Sequence, residues 1–448
     1  LSKVRLYTNI QTITGIRSPG STSMDLSTSC GLPYKLEQRG HVGKAPFITF
    51  NPVTSTYSIQ ERLLSDIAHM EEMYVNGRVS YNLKSQFRKH ELVGPNKILV
   101  PKTRLVAMGN VAHHIIYMKA NKDLFLKVKN VWNNGGTTPF AMGIDPERHW
   151  NAVAKHLTYH EFILDYDVKA WEEKITQRLL YMSLRVKLKI LKQAHIAQGI
   201  PFPPDLEAIM YGLVVDFVDS EVIFEDIVYH KRAGLLSGHP GTFMENSEIH
   251  LMIIGLIIRR ILRAYEPLWA TTAFILKHIK ILVAADDVLL GISPLVKDII
   301  NPENIKKGYK LLEFEITAPD KTPEITFGTI HTVQFLKTHF NLDSSGIFQP
   351  LYNRSIINQL INWARTDSKL TFTQQIIVNF ENALRFCYWR GAQEYEELRE
   401  LINANCIKHK IPFQHNLNYY EFGPLIKARQ AQLALEAKDT DPLAHQCD

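Results

Sequence analysis

Asp286 and Asp287 stand side by side inside residues 281–290, ILVAADDVLL, between two short apolar runs. The pattern predicts a hairpin of two buried strands whose tight connection carries both carboxylates. Adjacent carboxylates repel, and burying either one unpaired is costly, so such a pair needs a cation: a nearby Arg or Lys, or a divalent metal. Asp is equally at home in a solvated turn, so this stretch alone does not choose between a metal site and a turn. Three further stretches carry matching chemistry. Phe162, Ile163 and Leu164 lead into Asp165, Tyr166 and Asp167, a predicted strand that runs into acids. Arg88, Lys89, Lys97, Lys102 and Arg104 fall within 17 residues, with Leu99, Val100, Leu105 and Val106 interleaved. That alternation predicts a ribbon turning cations to one side, suited to gripping a triphosphate, although a solvated basic surface has the same composition. Thr28, Ser29, Cys30, Gly31, Leu32, Pro33 and Tyr34, followed by Gly43 and Lys44, place hydroxyls and backbone amides where a phosphate could come close.

The elements that must position these groups follow from periodicity. Residues 57–74 predict a helix with Ile59, Leu63, Ile67, Met70 and Met73 on one face, stopped by Asn76 and Gly77. Asp145, Pro146 and Glu147 read as a helix start. Residues 171–195 predict one long helix, broken by Pro201, Pro203 and Pro204, and residues 213–215 and 222–224 predict strands. The small-residue loop Ser237, Gly238, His239, Pro240, Gly241, Thr242 permits close backbone approach and leads into a helix running through Asn246 to Leu262. Its apolar run at 251–258 is too short to span a bilayer and reads as a core helix; the chain shows no transmembrane segment. A short helix at 301–308, a strand at 311–316, a turn at 317–321 and a strand at 333–337 follow. Residues 1–55, rich in Ser, Thr, Gly and Pro, predict an extended, irregular segment. From about residue 349 the character becomes amphipathic helix, with Ile356, Ile357, Leu360, Ile361 and Trp363 in one stripe and Ile376, Ile377, Phe380, Leu384 and Cys387 in the next.

At 448 residues, two or three subdomains are expected. The balance of 51 Lys and Arg over 45 Asp and Glu, a net charge of +6, is compatible with a polyanionic partner without identifying one. Cys30, Cys387, Cys406 and Cys447 are too scattered for a zinc or disulfide pattern, which points to a reducing compartment.

The order of these features resembles the palm of RNA-dependent RNA polymerases of positive-strand, picornavirus-like viruses, from about residue 28 to 340, and the helical remainder resembles their thumb. Residues 28–34 are similar to the family's Thr-Ser-x-Gly-Tyr-Pro-Tyr template loop, with Leu32 for the first Tyr; Thr28, Ser29 and Gly31 are the matching template contacts. Lys89, Lys97, Lys102 and Arg104 match its basic ribbon. The first catalytic motif, Asp followed five positions on by a second Asp, fits Asp167 and Glu172, with Glu replacing the second Asp; Asp165 is a rival that would put Ala170 in the second place. Ser237, Gly238, Gly241, Thr242 and Asn246 match the second motif with its spacing. Ala285-Asp286-Asp287 stands for Gly-Asp-Asp, Lys321 for the lysine of the fourth motif, and Phe335-Leu336-Lys337-Thr338 resembles Phe-Leu-Lys-Arg with the Arg lost.

The resemblance implies an α+β, mixed right-hand fold with an antiparallel-sheet palm and a helical thumb. It divides the chain into fingers at 1–152, palm at 153–198, a fingers insertion at 199–231, palm again at 232–340, and thumb and tail at 341–448. It implies attack of a primer 3′-hydroxyl on a nucleoside triphosphate with Mg²⁺, or Mn²⁺, held by Asp167 and Asp286, and Asp287 in support. Lys321 would act as general acid, and Lys89, Lys97, Lys102 and Arg104 would bind the triphosphate. Glu172, Ser237, Thr242 and Asn246 would read the ribose 2′-hydroxyl, while Gly238 and Lys337 would contact template and primer. The implied partners are RNA template and primer, nucleoside triphosphates, a viral protein primer and other replication proteins, in host cytoplasm at membrane-associated replication complexes. Two alternatives share the carboxylates. A reverse transcriptase would prefer deoxyribonucleotides and lack the Ser-Gly…Gly-Thr…Asn motif; a catalytically silent RNA-binding scaffold would survive loss of Asp286.

Overall fold

The computed structural model describes residues 4–16, 18, 21–38, 43–80, 83–89, 104–235, 237–364 and 370–436. At its centre is a four-stranded antiparallel sheet in the order Ile316–Thr317, Phe162–Val168, Asp287–Ile292, Ile279–Ala284. Alternation decides its two faces. Leu164, Tyr166 and Val168 point into the largest core, against Ile249, Ile253, Ile254 and Ile257 of the helix Thr242–Tyr265. Ile163 points the other way, into a core with Trp132, Trp150, Leu282 and Leu289. Asp165 and Asp167 share that second face, so the acids emerge where the apolar packing ends.

Beside this palm lies a second four-stranded sheet, in which Lys84–Arg88 pairs antiparallel with Leu105–Met108 and parallel with Ser220–Phe224, and Ser220–Phe224 pairs with Ile227–Lys231. Segments more than a hundred residues apart thus build one finger sheet. Under it run the helices Val111–Asn133, Gln177–Gln198 and Leu206–Val218, sharing a core with residues of the N-terminal segment such as Ile13, Tyr34 and Ile48. A small sheet, Gln334–Phe335, Thr338–Leu342 and Phe348–Tyr352, closes over Trp150, which stacks on Phe340 at 4.6 Å. Beyond it the helices Arg354–Asn362, Phe372–Tyr388, Ala392–His409 and Tyr419–Glu436 pack around Phe380, Leu384, Tyr395 and Ile402. Arg385 of the second of these helices pairs with the buried Glu147, 3.0 Å away, in the first turn of the helix Pro146–Leu157.

Several local expectations are corrected. Residues 56–59 form a strand against Ile48–Asn51, so Ile59 belongs to a sheet, and the helix runs Glu61–Val75. The single helix expected at 171–195 is two, Trp171–Lys174 and Gln177–Gln198, because Thr176 caps a new start by accepting from the Leu179 N–H. The run Leu213, Val214, Val215 is helical, within Leu206–Val218: packing in the finger core overrides the strand propensity of its valines. Residues 311–315 turn, and only Ile316–Thr317 pair as strand. Of the expected strand at 333–337 only Gln334–Phe335 pairs, since Leu336 and Lys337 take positive φ to turn the chain. The N-terminal segment contains two short helices, Asn9–Thr14 and Tyr34–Glu37. The helix Val111–Asn133 escapes periodicity because it is buried on nearly all sides and presents no single apolar stripe.

Trp150 is 1% exposed and fills the space between palm and small sheet. Trp150→Ala is therefore expected to lower the unfolding free energy by about 3–5 kcal/mol, read as a shift of the urea midpoint.

Candidate functional site

The hairpin between Ile279–Ala284 and Asp287–Ile292 closes through two residues, Ala285 and Asp286, with Ala284 opposite Asp287. Ala285 has φ +57, a region that favours glycine and costs an alanine on the order of 1 kcal/mol. Its backbone is held from both sides by the helix Thr242–Tyr265. The Ala285 N–H donates to Ser247 Oγ at 2.9 Å, and the Ala285 carbonyl accepts from His250 Nδ1 at 2.8 Å. His250 Nε2 in turn accepts from the Tyr309 hydroxyl at 2.8 Å, and Tyr309 meets Tyr166 at 3.1 Å. Burial pushes His250 down to about 4, which keeps the imidazole neutral and leaves Nε2 free to accept. A chain of hydrogen bonds thus fixes the turn to the helix behind it.

That turn carries Asp286 and Asp287 to the level of Asp167, one residue past the Tyr166–Val288 pair on the adjacent strand. Burial, with Asp167 adding repulsion, raises the Asp286 pKa, opposed by Lys321 and Arg104. Asp287 is pushed up to about 7 by burial and by the charges of Asp286 and Asp167. Lys321, in a turn at positive φ, forms an ion pair with Asp167. Asp165 does otherwise: it accepts the Gln334 N–H at 3.1 Å and so anchors the small sheet. Among the described residues no group of three or more His, Cys, Asp or Glu is placed to hold a metal ion. The donor set is instead an open group of hard, mutually repelling carboxylate oxygens, which fits an ion that takes its remaining ligands from water and phosphate.

Cations of the finger ribbon act on these acids. Lys89 and Arg104 are joined across the finger ribbon by the Lys89 N–H and the Arg104 carbonyl at 2.9 Å. Arg104 acts on Asp286, and both cations act on Glu172, whose pKa burial raises with a contribution from Asp286. Lys97 and Lys102 lie outside the described residues. Lys231, which the sequence did not single out, stands against Glu172 and Glu173, and burial lowers its pKa. Lys337, which lines one pocket with Asp287, Asp167 and Lys321, also acts on Asp287.

The small-residue loop is bonded to the finger ribbon. Its Ser237 carbonyl accepts from the Ala107 N–H at 2.8 Å, and Gly238, at φ +111, would set a β-carbon 2.5 Å from the Ala107 carbonyl. Thr242 Oγ1 donates to the His239 carbonyl at 2.7 Å, so this hydroxyl shapes the loop. Asn246 is buried and its side-chain oxygen accepts from Trp171 Nε1 at 2.9 Å. Farther out, Lys44 is turned inward. It donates to the carbonyls of Asp25 and Thr28 at 3.2 Å and to the Thr28 hydroxyl, so it holds the loop of Thr28, Ser29 and Gly31 in place of offering a free cation. Gly31, at φ +70, packs directly against Gly109.

Sequence reading missed Ser247, His250, Trp171 and Tyr309 as supports. The available signal was a run of polar residues, Glu245, Asn246, Ser247, Glu248 and His250, in the first half of a helix whose remainder is apolar enough to be buried.

The description "viral RNA-dependent RNA polymerase" belongs to the family that matches residues 6–405. The replicase polyprotein of Drosophila C virus (strain EB) is 24% identical over 409 residues, 87% of this chain and 22% of that polyprotein. The genome polyprotein of simian hepatitis A virus genotype V (isolate AGM-27) is 25% identical over 422 residues, 92% of this chain and 17% of that polyprotein. The chain thus spans about a fifth of the length of these relatives. A solved structure described as Sicinivirus 3Dpol RNA dependent RNA polymerase shares the fold, with a TM-score of 0.75 at 20% identity over 97% of this chain and 82% of that one.

Removing the strain at the turn and removing its hydrogen bond should have opposite effects. Ala285→Gly is expected to leave stability unchanged or raise it by up to about 1 kcal/mol, whereas Ser247→Ala lowers it by about 1 kcal/mol, both read from denaturant midpoints.

Proposed function

The chain belongs to the viral RNA-dependent RNA polymerase family, and from that premise we propose that it carries out template-directed RNA synthesis, joining nucleoside triphosphates to an RNA 3′-hydroxyl. The observation that carries the reading is the strand register that pairs Tyr166 with Val288 and so brings Asp167 next to Asp287, supported by the charge of Asp167 acting on Asp286 and Asp287, that of Arg104 on Asp286, and those of Asp286, Arg104 and Lys89 on Glu172. Asp167 and Asp286 would hold divalent cations, Mg²⁺ or Mn²⁺, with Asp287 beside them. When bound, such ions stabilise the attacking and leaving oxygens of the displacement. Asp167 is preferred to Asp165 because Asp165 is committed to the Gln334 amide.

The protein's own groups supply the rest. Arg104 and Lys89, with Lys97 and Lys102 of the same basic window, neutralise and orient the triphosphate; positioning and charge neutralisation are the main contributions a protein makes to phosphoryl transfer. Lys321, an exposed ammonium next to Asp167, delivers a proton to the departing pyrophosphate. Glu172, Ser237 and the side-chain nitrogen of Asn246 read the ribose hydroxyls, with Thr242 shaping the loop beneath them. Thr28, Ser29, Gly31, Gly238 and Lys337 line the path of template and primer. Fingers at 1–152 and 199–231, palm at 153–198 and 232–340, and thumb from 341 describe the division of labour, supported by the shared finger sheet and the separate helical core. Host cytoplasm, membrane-associated replication complexes and a viral protein primer complete the proposal. The relatives' descriptions as viral replicase and genome polyproteins support it. No helix among the described residues is long and apolar enough to cross a membrane.

Primer extension on a homopolymeric RNA template tests this reading. Ribonucleotide-selective extension with Mg²⁺ or Mn²⁺ is expected, with Asp286→Asn lowering the rate by more than about 100-fold and Asp165→Asn by less than about tenfold. RNA binding with no extension would replace the reading by a silent scaffold, and a preference for deoxyribonucleotides by a reverse transcriptase. A readout independent of turnover is thermal unfolding: either ion should raise Tm of the unmodified chain, and Asp286→Asn should abolish the shift.

A further inference from the structure

Beneath the Ser237-to-Thr242 loop lies a buried charge network that the proposed chemistry does not use. Lys187 of the helix Gln177–Gln198 and Glu245 and Glu248 of the helix Thr242–Tyr265 are 3%, 5% and 6% exposed. Lys187 forms an ion pair with Glu245 and lies 3.7 Å from Glu248. Ser183 Oγ lies 2.9 Å from Glu245 Oε2 and 3.0 Å from Glu248 Oε2. One more donor enters from the helix Val111–Asn133: the Tyr117 hydroxyl donates to Glu245 Oε1 at 2.5 Å. A buried network of this kind is costly when half satisfied, so each member fixes its neighbours.

Tyr117 is also the floor of the loop. A β-carbon on Gly241 would collide with the Tyr117 hydroxyl and lie 2.7 Å from its Cζ, so the backbone rests directly on the phenol. The His239 ring meets the Tyr117 ring at 4.3 Å edge-on and the Phe217 ring at 4.1 Å. His239 Nδ1 accepts from the Gly241 N–H at 3.2 Å, which ties the two contact points together. Water-sized cavities of about 20 Å³ lie on both sides of His239, one lined by Tyr117, Lys187 and Glu245 and the other by Ser29, Lys84 and His113, so the loop has room to settle differently if its floor moves.

We propose that Tyr117 is a positioning residue for nucleotide binding: fixed by Glu245, it sets the height of Gly241 and His239 and thereby where Ser237, Gly238 and Thr242 stand in the cleft. The proposal rests on the polymerase reading for its kinetic consequence but not for its structural one. Tyr117→Phe removes only the hydroxyl, and Lys187 remains to pair with Glu245, so the fold should survive. Hydrogen exchange in the chain without substrates should show faster exchange of the amides at 237–245 in Tyr117→Phe, by about tenfold. In primer extension the same variant should raise KM for the nucleoside triphosphate by about three- to tenfold with kcat within about twofold. Gly241→Ala should raise KM more than about tenfold in the unmodified chain but less than about threefold in a Tyr117→Ala background, because the collision has been removed. Unchanged exchange in Tyr117→Phe, or additive effects of the Tyr117 and Gly241 substitutions, overturns the proposal. Faster exchange in a chain that extends no RNA supports the positioning role and counts against the polymerase reading.

Discussion

Three carboxylates that repel one another have to be held within one small volume, and the rest of the molecule follows from that constraint. Asp286 and Asp287 are adjacent in the chain, and Asp167 is brought beside them by strand pairing; burial, with the repulsion added to it, raises the pKa of both hairpin aspartates. The hairpin cannot relax away from it. Its turn residue Ala285 is tied at the N–H to Ser247 and at the carbonyl to His250, and His250 is tied through Tyr309 to Tyr166, next to Asp167 in sequence. The same helix that fixes the turn therefore also registers the two acidic strands against each other. An alanine at positive φ is tolerable there because its surroundings determine its backbone twice over.

This arrangement divides labour between apolar and polar packing. Leu164, Tyr166 and Val168 anchor one face of the central strand in the large core, which frees the other face to end in Asp165 and Asp167. Asp165 then accepts the Gln334 amide, while Asp167, in the same pocket, has an ammonium, Lys321, as its partner. Across the cleft the finger ribbon supplies Lys89 and Arg104, and the glycine loop is bonded to that ribbon through Ala107 and supported from below by Tyr117. The loop thus touches the finger ribbon directly and reaches the acidic hairpin through the helix that follows it, whose Ser247 and His250 hold Ala285.

The helical C-terminal part is attached by both ion pairs and an aromatic stack. Glu147, buried in the first turn of Pro146–Leu157, meets Arg385 at 3.0 Å and Arg429 at 4.0 Å, while Tyr352 stacks on Phe386 at 4.1 Å. An ion pair with one buried partner gives orientation more than net stability, because much of its attraction offsets the desolvation of the carboxylate.

Legibility in the sequence divides along the range of the interactions. The Asp-Asp hairpin, the capped helix at Asp145, the strand into Asp167 and the spaced Ser-Gly…Gly-Thr…Asn loop were all readable, because each depends on a few neighbouring residues and on backbone geometry that those residues dictate. The helical state of 213–215 and the largely buried helix Val111–Asn133 were not readable, since local propensity is overruled there by what packs around the segment, whereas the split after Trp171 carried a local signal in the Thr176 cap. The same holds at the site. Which residue types carry charge was written in the chain. That Asp165 serves structure and Lys44 turns inward, that Thr242 bonds the loop carbonyl, and that Ser247, His250 and Tyr117 do the holding, was decided only when distant segments met, because burial and hydrogen-bond partners are properties of the assembled core and not of the sequence window.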